Sequence, residues 1–363
     1  MAGGSAGRIP HFARVTVLGG GAWGTALAQI LADTGADADA PDVTPLNVTP
    51  PNVTLWARDP AVAAAIGDRH LHPAALPDIP LSPRIAATAD LDRALADADL
   101  LVAAVPAQAL RELLRRLRPL LAARGSAAVP VLLCAKGLEI ATGMLLTDVV
   151  AEELPGHPAA VLSGPNFAGE VARRLPAAAS VGAAERHLGE ALVATFGRPW
   201  FRPYRSDDPI GVQVGGAYKN VLAIACGAVI GRALGENARA ALLTRGIAEM
   251  ARLTVALGGR AETCMGLSGI GDALLTCLSE TSRNTRLGVA IGRGATLDTA
   301  LAGGARVVEG VHTARAVHAI AQSRSLDLPV AAAVHAVLHQ GADLESAMAA
   351  LLARPFRAED PAT

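Results

Sequence analysis

Of the 32 basic residues in this 363-residue chain, only Lys136 and Lys219 are lysines; the other thirty are arginine. A chain that uses arginine wherever a plain surface cation will serve marks its lysines as positions needing a compact ammonium with a tunable pKa, which a guanidinium does not offer. Lys136 follows an apolar run at 129–134 and precedes Gly137. That places it at the carboxyl end of a strand, where open α/β sheets bind ligands. Lys219 lies in a long helical pattern at 210–230. A partly buried ammonium there has its pKa drawn towards neutrality and can serve as general acid and base. Asp272 and Thr276 are four residues apart and share one helical face. Asp272 is a candidate to orient Lys219 and offset its charge. Lys136 and Arg283 are candidates for holding an anionic substrate or cofactor phosphates. The chemistry this set suggests is proton transfer at the oxygen of a carbon that exchanges hydride.

Such a reaction needs a dinucleotide, and the N-terminal region offers a place for one. Residues 14–18 form an apolar run with two valines, read as a buried parallel strand. Gly19, Gly21 and Gly24 follow at the G-x-G-x-x-G spacing, and 25–31 reads as a helix. The first glycine permits the tight turn, the second lets a pyrophosphate approach the backbone, and the third lets helix and strand pack closely. The helix N-terminus offers free N–H groups and a positive dipole end. The second strand, 53–57, ends at Arg58-Asp59. Arginine at that position suits a 2′-phosphate and an acidic residue suits a 2′-hydroxyl. Arg58 therefore leans the cofactor assignment towards NADPH over NADH, while Asp59 leaves NADH open. Residues 33–52, aperiodic and rich in Pro, Asp and Thr, read as a loop inserted between the first helix and the second strand.

Further strands are expected at 85–88, 100–105, 129–134, 159–162, 177–181 and 200–202. The helix at 108–121 is amphipathic, with Arg111, Arg115, Arg116 and Arg118 read as solvated. The strand at 159–162 runs into Ser163-Gly164-Pro165-Asn166-Phe167-Ala168. That turn either presents backbone N–H groups and Asn166 to a ligand or simply starts a capped helix. After residue 206 the pattern is helical throughout, apart from a break read at 266–271. The expected architecture is an α/β Rossmann domain with a mainly parallel sheet over 1–205, an all-α domain over 206–355 and a tail over 356–363. Substrate chemistry belongs in the cleft between the two.

Composition excludes several classes. A formal net charge of −1 gives no basic footprint for nucleic acid. The apolar run at 221–230 is too short to span a bilayer, and 1–11 lacks a signal-peptide pattern, so a cytoplasmic protein is expected. Cys134, Cys226, Cys264 and Cys277 form no C-x-x-C pair and read as reduced, buried thiols. His70 and His72 lack companions at metal-ligand spacing, so no metal is expected.

Taken together, GGGAWGTALA at 19–28, LWAR at 55–58, AKGLE at 135–139, SGPNFA at 163–168, GGAYKNV at 215–221, GD at 271–272, SRN at 282–284 and VVEG at 307–310 resemble bacterial NAD(P)-dependent sn-glycerol-3-phosphate dehydrogenase over nearly the whole chain. The resemblance implies reversible reduction of dihydroxyacetone phosphate to sn-glycerol 3-phosphate, feeding phospholipid synthesis. It also implies a C-terminal domain of the 6-phosphogluconate dehydrogenase type and a homodimer. By the family pattern Lys219 is the proton acceptor in the oxidation direction. Lys136, Gly164, Asn220, Asp272, Ser282 and Asn284 then contact glycerol phosphate, with Thr276 nearby. Ala22, Trp23, Arg58, Lys136, Ala168, Arg283, Val307 and Glu309 fall to the cofactor. Three departures stand out: the 33–52 insertion, Ala107 where the family often has serine, and His72-Pro73-Ala74-Ala75-Leu76-Pro77 in place of Asn-x-x-Tyr-Leu-Pro. Two other functions compete. One is a related β-hydroxyacid or 6-phosphogluconate-type dehydrogenase, and the other a catalytically silent dinucleotide-binding regulator.

Overall fold

The computed structural model describes residues 11–33, 49–125, 128–302 and 308–355. Eight strands form one sheet: β1 (Arg14–Leu18), β2 (Asn52–Trp56), β3 (Ile85–Thr88), β4 (Leu100–Ala103), β5 (Val131–Leu133), β6 (Ala159–Ser163), β7 (Ala177–Ala183) and β8 (Phe201–Ser206). Their order is β3-β2-β1-β4-β5-β6-β7-β8. The first six are parallel, β7 runs antiparallel to β6, and β8 is parallel to β7. Chain order reverses between β1 and β4, which opens a crevice above their carboxyl ends. Register keeps that rim level, because Leu18 pairs with both Trp56 and Ala103 and Ala103 pairs with Leu133.

The central strands are runs of valine, leucine and alanine because helices cover both faces. Successive side chains alternate between the two layers. Val15, Val17, Leu55, Val102 and Leu132 pack with α1 (Ala22–Ala32), α2 (Pro60–Arg69), α6 (Ala168–Ala172) and α7 (Arg186–Phe196). Leu18, Trp56, Leu101, Val131 and Leu133 pack with α3 (Leu91–Leu95), α4 (Leu110–Ala123) and α5 (Leu146–Glu153).

Beyond Ser206 the chain is helical: α8 (Pro209–Gly231), α9 (Glu236–Ala256), α10 (Asp272–Cys277), α11 (Arg283–Gly292), α12 (Leu297–Ala302), α13 (Glu309–Ser323), α14 (Pro329–His339) and α15 (Leu344–Leu352). The α/β Rossmann sheet followed by an all-α region is the architecture the sequence predicts. The axis of the helical part is α8, whose residues from Gly211 to Val229 are all buried. Alone among the described helices it has the length and composition of a membrane span, but 89% of its most apolar window is covered by the rest of the molecule. Its apolar stretch is thus longer than the 221–230 run suggests. Glycines allow α8 and α11 to meet backbone to backbone. A Cβ on Gly227 would lie 2.2 Å from the Thr285 carbonyl oxygen, and one on Gly288 would lie 2.1 Å from that of Ile224.

Several expectations change. Residues 266–271 do not break the chain; Leu267–Gly271 forms a π-helical turn that runs into α10. The strand begun at 177 extends to Ala183 and is antiparallel to β6. Asp33, read as the start of the inserted loop, is fixed by a 2.9 Å hydrogen bond donated by Trp200 Nε1, and Asn52, read as its end, belongs to β2. Residues 34–48 of that insertion, Val307 and the 356–363 tail lie outside the described residues. All four cysteines are free and buried.

Candidate active site

Both lysines converge on one carboxylate. Lys136 reaches it from the loop after β5, with Nζ 2.5 Å from Asp272 Oδ2. Lys219 reaches it from the middle of α8, with Nζ 3.1 Å from Asp272 Oδ1. Thr276, one turn further along α10, accepts a 2.7 Å hydrogen bond from Lys219 Nζ and donates one of 3.2 Å to Asp272 Oδ1. The four-residue spacing read from the sequence thus does place both side chains on one face. Lys136 Nζ also donates to the Gly164 carbonyl oxygen at 2.8 Å. Lys219 is 8% exposed and Asp272 1%. Burial, opposed by Asp272 and aided by the smaller effect of Lys136, draws the Lys219 ammonium down to about 8. An amine with a pKa near 8 exchanges protons readily close to neutral pH.

The remaining substrate candidates border this group. Asn220, next to Lys219, donates from Nδ2 to the Lys136 carbonyl oxygen at 3.0 Å and accepts from Asn284 Nδ2 at 2.9 Å. Asn284 Oδ1 in turn accepts from the Gly310 N–H at 3.0 Å. Ser282 is the N-cap of α11 and accepts from the Thr285 N–H, so its hydroxyl already has a structural task. Arg283 is exposed and stands near enough to Glu309 to stabilise its charge. Asn166 Nδ2 is held by the Ala178 carbonyl oxygen at 3.1 Å, whereas its buried Oδ1 has no partner.

On the crevice side, the glycine loop divides by cause. A Cβ on Gly19 would lie 2.7 Å from the Ala104 carbonyl oxygen, and one on Gly24 would lie 1.9 Å from that of Gly19. The protein itself forbids side chains there. A Cβ on Gly21 would meet nothing within 4 Å, so the demand for glycine at 21 comes from outside the chain. Gly21 is the N-cap of α1 and supplies no side-chain cap, which leaves the first N–H groups of the helix to a ligand. At the end of β2, Asp59 caps α2, its Oδ1 accepting from the Ala61 N–H at 2.9 Å. Arg58 is exposed.

Ala22, Trp23 and Ala168 are half-buried and pack on the core from this rim. Trp23 Nε1, Ser163 Oγ and Glu309 Oε2 join Asn166 Oδ1 as buried polar atoms without a partner. Such atoms are costly unless something satisfies them, and these four sit on the glycine loop, the 163–168 turn and the start of α13. Burial also raises the Glu309 carboxyl, whose other oxygen accepts from the Ala107 N–H at 3.2 Å. A bound dinucleotide and substrate fit this donor and acceptor set.

Three features escaped the sequence reading. Ser163, read only as the first residue of the 163–168 turn, is buried against α8, where a Cβ on Gly216 would lie 2.3 Å from its Oγ. His72 is buried and its Nε2 lies 2.7 Å from the Gly20 carbonyl oxygen, so the altered 72–77 stretch grips the glycine loop. Arg111 is not solvated; its side chain is 15% exposed and surrounded by Glu139, Glu152 and Glu153.

Known proteins match the chain over nearly its whole length. The family model described as NAD-dependent glycerol-3-phosphate dehydrogenase N-terminus matches residues 14–188, and the one described as its C-terminus matches 208–349. A protein of Rhodospirillum rubrum named glycerol-3-phosphate dehydrogenase [NAD(P)+] is 49% identical over 345 residues, 95% of this chain and 93% of its own. One of the same name from Caulobacter vibrioides is 49% identical over 348 residues, 96% of this chain and 99% of its own. The crystal structure of glycerol-3-phosphate dehydrogenase from Coxiella burnetii superposes with a TM-score of 0.85 at 36% identity, over 95% of this chain and all of the other.

Proposed function

The chain belongs to the NAD-dependent glycerol-3-phosphate dehydrogenase family, and on that premise we propose that it interconverts dihydroxyacetone phosphate and sn-glycerol 3-phosphate with NAD(P)H, and that Lys219 carries the proton. The observation that carries the reading is the buried carboxylate of Asp272 shared by the chain's only two lysines.

The nicotinamide, when bound, supplies the hydride in one direction and accepts it in the other. Gly19, Gly21 and the open N-terminus of α1 receive its phosphates. Trp23, Ala168, Arg283 and Glu309 line its place, and Arg58 meets the ribose end. In the reduction direction the Lys219 ammonium gives its proton to the carbonyl oxygen of the substrate; in oxidation the amine takes it back. Asp272 and Thr276 fix the direction in which Lys219 points. Lys136, with Gly164, Asn166, Asn220 and Asn284, orients the phosphorylated substrate.

The division of labour runs near residue 206, with 1–205 for the cofactor and 206–355 for the proton chemistry. The family resemblance supports a homodimer in the cytoplasm whose product feeds glycerophospholipid synthesis. A monomeric mass by light scattering contradicts the dimer, and recovery in the membrane fraction contradicts the cytoplasmic setting.

The deciding assay follows NADPH and NADH absorbance separately after addition of dihydroxyacetone phosphate. Turnover is expected with NADPH at least equal to that with NADH. A folded, cofactor-binding sample that is silent here but oxidises a 3-hydroxy acid moves the assignment to the carboxylate-substrate dehydrogenases. Silence with both makes the chain a dinucleotide-binding regulator.

A further inference from the structure

Lys136 stands on a loop whose own footing lies outside the cleft. Three successive residues after it are held by the amino end of α4 and the turn before it. Gln108 donates from Nε2 to the Leu138 carbonyl oxygen at 2.8 Å and accepts from the Ile140 N–H at 3.0 Å. Between those two points, Arg111 grips the Glu139 carboxylate with both prongs of its fork, Nε to Oε1 at 2.7 Å and Nη2 to Oε2 at 2.8 Å. Thr142 adds a 2.6 Å hydrogen bond to Glu139 Oε2. The remaining Arg111 nitrogen, Nη1, is fixed by Glu153 at 2.5 Å and Glu152 at 2.9 Å on α5. A bidentate guanidinium–carboxylate pair fixes orientation as well as distance. Glu139 is 7% exposed, so water competes little for it. Gly137, between Lys136 and this grip, leaves no slack, since a Cβ there would lie 2.9 Å from that of Ala107.

We propose that Gln108, Arg111 and Glu139 form a clamp that sets the position of Lys136, which makes them positioning residues for substrate binding. None of the three touches Asp272 or Lys219. The proposal rests on the reading that Lys136 holds the phosphorylated substrate. It differs from a plain stabilising role in one respect: its effect on substrate must pass through the Lys136 ammonium.

The test measures the affinity of the NADPH-loaded enzyme for sn-glycerol 3-phosphate by calorimetry, a pairing with no hydride acceptor and so no turnover. Glu139→Gln and Gln108→Ala are each made alone and in a Lys136→Ala background, with melting temperature recorded throughout. Gln108→Ala leaves the ion network whole and covers the case in which Glu139→Gln does not fold. The expected result is at least a fivefold weaker affinity in each single variant and no further loss when Lys136 is already alanine. Two results overturn the clamp: unchanged affinity in Gln108→Ala and folded Glu139→Gln, or an equal loss in the Lys136→Ala background. If Lys136→Ala alone binds sn-glycerol 3-phosphate normally, the premise fails first and the clamp's role falls with it.

Discussion

Burial leaves Lys219 with a pKa near 8, so in its proposed role protonation decides which direction of the reaction it serves. The base in the oxidation direction is the amine. Oxidation of sn-glycerol 3-phosphate should therefore rise with pH through about 8, while reduction of dihydroxyacetone phosphate falls over the same interval. Steady-state rates in both directions between pH 6 and 10 check this. Lys219→Arg should lose most turnover and the pH dependence with it while still binding NADPH, because a guanidinium does not release a proton in this range. At the end of β2, Asp59 uses one carboxylate oxygen to cap α2, and Arg58 beside it is exposed. Arg58→Ala should raise KM for NADPH at least tenfold and KM for NADH about twofold or less, by the loss of a charge-assisted phosphate contact. Equal losses contradict 2′-phosphate recognition. Composition singled out the two lysines, because the chain uses arginine everywhere else, but it took the strand end before Lys136 and the helical pattern around Lys219 to read them as site candidates. Arg111 was not, since its partners Glu139 and Glu153 stand 28 and 42 residues away and only the folded chain brings them together.

The elements carry the site by close packing more than by caps. Contact between α8 and α11 at Gly227 and Gly288 brings the Asn220 and Asn284 amides to 2.9 Å. Gly288→Val should force these helices apart and lower the unfolding midpoint in urea by an amount equivalent to about 3 kcal/mol, in the range expected for overpacking. Affinity for sn-glycerol 3-phosphate should fall as well; an unchanged midpoint contradicts the packing argument. The helical pattern of α8 was readable from its apolar run, but not its role as the axis. The 266–271 stretch was misread for a physical reason. Its glycines lower helix propensity, yet one of them is required by a close local approach, since a Cβ on Gly269 would lie 2.0 Å from the carbonyl oxygen of Cys264, five residues back. The wider π turn absorbs that approach and delivers Asp272 at the start of α10. The direction of β7 was equally hidden, because a short apolar strand reads the same either way.

For the whole molecule, the change from alternating strands and helices to uninterrupted helix made the two-part architecture legible. Its pH response is set partly away from the cleft. His318 on α13 stacks on His335 of α14 with ring centroids 3.8 Å apart, and His339 lies 5.1 Å from His335. Burial, then the neighbouring His318, His339 and Arg315, hold His335 down to about 4. In the unfolded chain this imidazole takes up its proton near 6.5, before the folded one does. Stability should therefore be lost progressively as pH falls from about 6.5 towards 4 and be insensitive to this group above 7. His335→Phe should flatten that part of a melting-temperature profile; an identical slope removes His335 as its source.

Gathering both lysines in the cleft has a consequence for the rest of the surface. Little of either side chain reaches solvent, with Lys136 17% and Lys219 10% exposed. A peptidase that cuts only after lysine thus finds no extended, accessible bond on the folded chain. Opening of the cleft region exposes two bonds at once and yields the fragments 1–136, 137–219 and 220–363. The arginine-only exterior turns lysine-directed proteolysis into a clock for the integrity of the active site itself, one that substrate and cofactor would slow.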